Sequence, residues 1–92
     1  MKITIKFFAR FRERFGNEIV IEATERTTLG DLVRQVAMRD REGYDAIFDS
    51  KGAFRTYVII MQNGRRTEHG EAEHTPVIEG DVIAIFPPVA GG

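Results

Sequence analysis

Val82-Ile83-Ala84-Ile85-Phe86-Pro87-Pro88-Val89-Ala90-Gly91-Gly92 decides how the rest of this chain is read. Its first five residues alternate as a strand, with Ile83 and Ile85 on one face and Val82, Ala84 and Phe86 on the other. Two prolines then hold the backbone extended, because each ring fixes φ and removes a donor. The chain closes on Ala90-Gly91-Gly92, and a diglycine end, lacking Cβ atoms, enters a slot that only bare backbone fits. At roughly 3.3 Å per residue, the segment after Phe86 reaches about 20 Å from the body. Terminal residues commonly fray. Frayed ends are usually polar, whereas this one is apolar and glycine-terminated, and it reads as a tail delivered to a partner. The expected division is therefore a folded domain over residues 1–86 and a flexible tail over residues 87–92.

Upstream of that strand, Gly80-Asp81 marks a turn. Before it lies Arg65 to Thr75, which contains no large apolar residue and reads as a polar edge strand or loop. Tyr57 to Met61 is a continuous apolar run ended by Asn63-Gly64, a strong hairpin signal. Val58 and Ile60 are its inward residues, leaving Tyr57, Ile59 and Met61 outside. At the other end of the chain, Lys2 to Phe8 alternates with Ile3, Ile5 and Phe7 inward and Phe8 on the polar side. Arg10 to Gly16 reads as a charged hairpin connector. Glu18 to Glu22 alternates again, with Ile19 and Ile21 inward, as a strand antiparallel to the first.

Between the two halves, Leu29, Leu32, Val33 and Val36 recur at i, i+3, i+4 and i+7, one apolar stripe of a helix. Thr28 is its cap, and Asp31 is placed to favour the helix dipole. Asp40 to Gly52 is polar, with Tyr44, Ile47 and Phe48 at helical spacing, and reads as a loop carrying one short amphipathic turn. The order is β-β-α-β-(β)-β. A mixed sheet of four or five strands, its first and last strands central and parallel and one main helix packed on one face, is an α+β fold of the β-grasp, ubiquitin-like type. Its open face carries Phe8 and Phe86 on adjacent strands with Ile59 and Met61 nearby, and clustered exposed aromatics mark an interaction surface.

Composition narrows the function classes. Thirteen basic residues against fourteen acidic ones leave a net charge of −1, so nothing electrostatic favours nucleic acid or an anionic membrane. No run reaches transmembrane length and Met1-Lys2-Ile3 opens directly into a strand, so the expected location is the cytoplasm. With no cysteine, thiolate nucleophiles and Cys-based metal sites are excluded together. His69 and His74 lie among Glu68, Glu71 and Glu73, but their spacing matches no metal motif, and a solvated edge is the expected reading. No metal site and no catalytic side chain is expected.

Three stretches carry a resemblance that covers nearly the whole chain. They are Phe7-Phe8-Ala9, the Ala-x-x-Arg-Glu-x-x-Gly spacing at Ala9, Arg12, Glu13 and Gly16, and the closing Gly80-Asp81-Val82 through Phe86-Pro87-Pro88-Val89-Ala90-Gly91-Gly92. The sequence resembles the MoaD/ThiS family of ubiquitin-like sulfur carriers and is most similar to the MoaD branch, whose proteins form the small subunit of molybdopterin synthase. The resemblance implies that an E1-like, MoeB-like enzyme uses ATP and Mg to adenylate the Gly92 carboxylate. A sulfur donor then replaces AMP to leave a thiocarboxylate, and a MoaE-like large subunit receives the tail so that sulfur passes to a pterin precursor. It further implies that Pro87, Pro88, Ala90 and Gly91 thread a narrow channel, that Phe8 and Phe86 dock the partners, and that the chain needs no cofactor of its own.

The chain departs from that pattern twice. Arg65 to His74 lacks the apolar residue that MoaD proteins place on the docking face, so Ile59 or Met61 is expected to substitute. Residues 39–55 form an insert, similar to that of longer archaeal MoaD-like proteins, some of which are attached to lysines of other proteins. A ubiquitin-like modifier joined through Gly92 to target lysines is therefore the second reading, and a β-grasp interaction domain with an inert tail the third.

Overall fold

In the computed structural model, which describes residues 1–87, the first alternating segment forms β1 (Lys2–Phe7), with Ile3, Ile5 and Phe7 buried. The chain then makes a six-residue helix, α1 (Arg10–Phe15), where the sequence suggested only a charged connector. Apolar packing overrides the charge: Phe11 is wholly buried, and Phe15 stacks on Phe7 with ring centroids 4.5 Å apart. β2 (Glu18–Glu22) returns antiparallel to β1, with Lys6 opposite Glu18.

α2 (Leu29–Ala37) is the main helix. The Thr28 hydroxyl caps it, accepting the Asp31 N–H at 3.2 Å, and all four residues of the expected stripe are buried. Each such side chain contributes about 1.5–3 kcal/mol on leaving water, which fixes this face against the sheet. α3 (Arg41–Ile47) follows as a seven-residue helix, longer than the single turn expected. Asp40 caps it through the Gly43 N–H at 2.8 Å and also receives the Arg14 guanidinium, tying α3 to α1. Gly43 permits that approach, since a Cβ there would collide with the Phe15 ring.

β3 (Ile59–Gln62) and the edge strand β4 (Arg65–Thr67) form a hairpin. Asn63 and Gly64 both take positive φ, 52° and 82°, as its two-residue turn demands. A short helix, α4 (His69–Ala72), then precedes β5 (Val82–Phe86). The sheet order is β2-β1-β5-β3-β4, with β1 and β5 parallel and the other neighbours antiparallel. Within this frame the inward residues Val58, Ile60, Ile83 and Ile85 are buried, as their alternation required. Among the described residues, no helix is long and apolar enough to cross a membrane.

His69 departs from the solvated edge expected of it. Its ring stacks on Phe54 at 5.2 Å, and Nε2 donates to the Val58 carbonyl at 2.6 Å. His74 is exposed, and no group of three or more potential ligands gathers among the described residues.

Four carboxylates give the fold an acid limit. Burial pushes the Asp81 carboxyl up, but donation from Asn63, the Ile78 N–H and Gln62 outweighs it and holds the group below its usual range. Arg14 and the Gly43 N–H lower Asp40, the Ala53 and Lys51 N–H groups lower Asp49, and Arg34 lowers Glu73. A carboxyl depressed in the folded state binds its proton more readily when unfolded. Its stabilisation is therefore present above the unfolded value, about pH 4, and disappears as pH falls through the lower folded value. Urea unfolding at constant ionic strength should give nearly constant stability from neutrality to about pH 4.5 and a falling one below. A rise in stability over that acid limb would contradict this assignment.

Candidate functional site: an aromatic face at the root of the tail

Alternation along β1 sends Phe8, the residue after the strand, to the sheet face opposite the helices. Its N–H still bonds to the Ile85 carbonyl at 3.3 Å, holding it beside β5. Phe86, the last residue of β5, lies against it with ring centroids 4.3 Å apart and planes inclined by 11°. Across the next ladder Phe86 faces Ile59, and one step back Ala84 faces Met61. Phe8, Phe86, Ile59 and Met61 are all half-buried on this open face. The structure thus brings together the four residues expected to dock a partner. Pro87 follows directly and is buried; Pro88, Ala90, Gly91 and Gly92 lie outside the described residues.

Ala9 makes the corner behind Phe8 at φ 51° and ψ −132°, a region that L side chains rarely occupy. This corner starts α1 so that Phe11 N–H bonds to the Phe8 carbonyl and Arg12 N–H to that of Ala9. Arg12 is thereby brought over the Phe8 ring, its guanidinium carbon 5.8 Å from the centroid. The four-residue spacing of Phe8 and Arg12 was visible, but only the helix gives it meaning. Strain here should be measurable. Ala9→Val should cost about 2 kcal/mol in urea unfolding, because a β-branched residue tolerates positive φ worse, whereas Ala9→Gly should be neutral or stabilising. Equal stability of the valine and glycine variants would argue against a strained corner.

Chemically the Phe8–Phe86–Ile59–Met61 patch is apolar and half-buried. A cavity of about 420 Å³ lies at the opposite end of β5, lined by Gln62, Asn63 and Asp81 among others. Its buried carboxylate is already spent on internal donors. The aromatic face lies directly before Pro87, where the C-terminal segment begins.

A helix crossing one face of a mixed sheet in this strand order, with its opposite face open, defines a β-grasp, ubiquitin-like protein. The chain belongs to the ThiS family, whose model matches residues 5–92, and so to the MoaD/ThiS group of ubiquitin-like proteins. It is 31% identical to small archaeal modifier protein 3 of Haloferax volcanii, over 100% of both chains. The crystal structure of SAMP1 from the same organism superposes with a TM-score of 0.87 over 100% of both chains, at 22% identity. A chain in the complex of subunits 1 and 2 of the molybdopterin-converting factor from Helicobacter pylori superposes with a TM-score of 0.62 over 100% of both, at 27% identity.

Proposed function

We propose that this chain is a sulfur carrier, the small subunit of a molybdopterin synthase, acting through Gly92. The observation that carries this reading is the stacked Phe8–Phe86 pair at the root of a Gly-Gly tail, in a chain of the ThiS family. A MoeB-like, E1-like enzyme seats the aromatic face and threads Ala90, Gly91 and Gly92 to its ATP and Mg. The free carboxylate is a poor electrophile. Its oxygen attacks the α-phosphorus of ATP, pyrophosphate leaves, and the resulting acyl-adenylate carries AMP as its leaving group. A sulfur donor displaces AMP to give the thiocarboxylate. The same face then docks on a MoaE-like subunit, where the thiocarboxylate gives up its sulfur to a pterin precursor during molybdenum cofactor synthesis.

A second reading shares the first step. In a ubiquitin-like modifier, a lysine amine of a target protein attacks the activated Gly92 carbonyl and an isopeptide bond replaces the adenylate. Its specific support is the full-length similarity to small archaeal modifier protein 3. Incubating the purified chain with its E1-like enzyme, ATP and Mg, and then with sulfur donor, large subunit and pterin precursor, tests both. Sulfur transfer to the precursor supports the carrier. Accumulation of Gly92-linked lysine adducts supports the modifier, and absence of any adenylate leaves the interaction domain.

A further inference from the structure

Below the Phe8–Phe86–Ile59 row, the register places Lys6, Ala84, Met61 and Arg66 in one line across four strands. Lys6 and Arg66, at its two ends, are exposed, and among the described residues neither makes a salt bridge. The following row, Val20, Thr4 and Val82, carries no charge. Lys6 on β1 and Arg66 on the edge strand β4 therefore flank the apolar middle of this line, with Glu18 on β2 beyond Lys6. Three strand spacings separate β1 from β4, so their backbone positions are about 14 Å apart. The aromatic row pins the partner directly above this line. A protein that covers Phe8, Phe86 and Met61 and extends to both ends of this line strips water from Lys6 and Arg66, which is costly unless it supplies opposite charge. Glu18, the residue opposite Lys6, forms no ion pair with it.

We infer that the protein receiving the tail presents an apolar seat flanked by two carboxylates about 14 Å apart, one for Lys6 and one for Arg66. The inference rests on the proposed function, because its partner is the enzyme that activates Gly92. Phosphates would satisfy the same cations, but the chain's net charge of −1 and the rings already stacked on each other favour a protein.

The test is adenylation by the E1-like enzyme, followed as ATP–pyrophosphate exchange against concentration of the full chain. Lys6→Glu and Arg66→Glu should each raise KM about tenfold and the pair about a hundredfold, since like charges then face each other. The value of kcat should stay unchanged, and neutral Lys6→Gln and Arg66→Gln should fall between. Rising ionic strength should raise the wild-type KM more than that of the double glutamine variant. Arg39→Glu and Arg41→Glu, exposed near the α2–α3 junction, serve as controls of equal charge change. Equal effects from controls and test variants, or a double reversal with the wild-type KM, would overturn the inference and leave the carrier reading standing. So would an unchanged KM accompanied by loss of oligonucleotide binding. A wild-type chain that is never adenylated would overturn both.

Discussion

Removing Gly92 should abolish adenylation by the E1-like partner and every downstream product, with no change in unfolding free energy. The two halves of that result come from different parts of the molecule. The sheet, its helices and their buried core are built from residues 1–87. In the proposed adenylation, by contrast, the Gly92 carboxylate has to meet the α-phosphorus of ATP, and misplacing reacting atoms by about 1 Å already costs on the order of a hundredfold. A chain one residue shorter ends a full residue, about 3.3 Å, too soon. The shortened chain should still bind through Phe8 and Phe86 and compete with wild type in pyrophosphate exchange. Retained adenylation would move the reactive group away from Gly92, and failure to compete would show that the tail, not the aromatic face, supplies the affinity.

Arg34→Ala should cost about 3 kcal/mol of stability, lowering Tm by roughly 15 °C in a domain of this size. Arg34 lies on α2 and reaches two other pieces of chain. Its fork holds the Glu73 carboxylate, with Nη1 2.8 Å from Oε1, and its Nε donates to the Gly52 carbonyl at 3.0 Å. Its guanidinium carbon lies 5.1 Å from the Phe48 ring centroid and 5.6 Å from that of Phe54. The guanidinium thus joins α2, the 48–54 segment and the residue after α4. Both partners keep some solvent contact, at 23% and 33% side-chain exposure, which holds the expected cost below that of a fully buried pair. Arg34→Lys should recover less than half of it, since an ammonium cannot fork to a carboxylate and lie flat on aromatic rings together. Urea unfolding of the three proteins is sufficient. A loss under about 0.5 kcal/mol would place Arg34 among ordinary surface cations.

Legibility followed the length of each pattern. The α2 stripe spans eight residues, and its cap is visible as Thr28 and Asp31, so the helix could be placed from sequence. Alternation fixed which face of each strand is buried, which is why Phe8, Phe86, Ile59 and Met61 emerged together. α1 was lost because Phe11 and Phe15 are its only apolar pair, embedded among arginines, and six residues hold too little periodicity to outweigh charge. α3 was shortened for a related reason: its start depends on the Asp40 side chain capping Gly43, a contact that spacing suggests but does not weigh. His69 was misjudged because its partners, Phe54 and the Val58 carbonyl, come from the strand approach fifteen and eleven residues earlier. The cationic line was unreadable on different grounds. Lys6, Met61 and Arg66 meet only through the register of four strands, and alternation within one strand says nothing about its neighbour's register.

The intact mass of the protein purified from its native host, with any added mass mapped to a residue, tests the central claim most directly. The carrier assignment predicts a fraction in which one oxygen is replaced by sulfur, located at the Gly92 carboxylate and absent from chains lacking that residue. Gly92 found joined to lysines would transfer the assignment to a modifier. An unmodified Gly92 carboxylate in cells actively making molybdenum cofactor would contradict it.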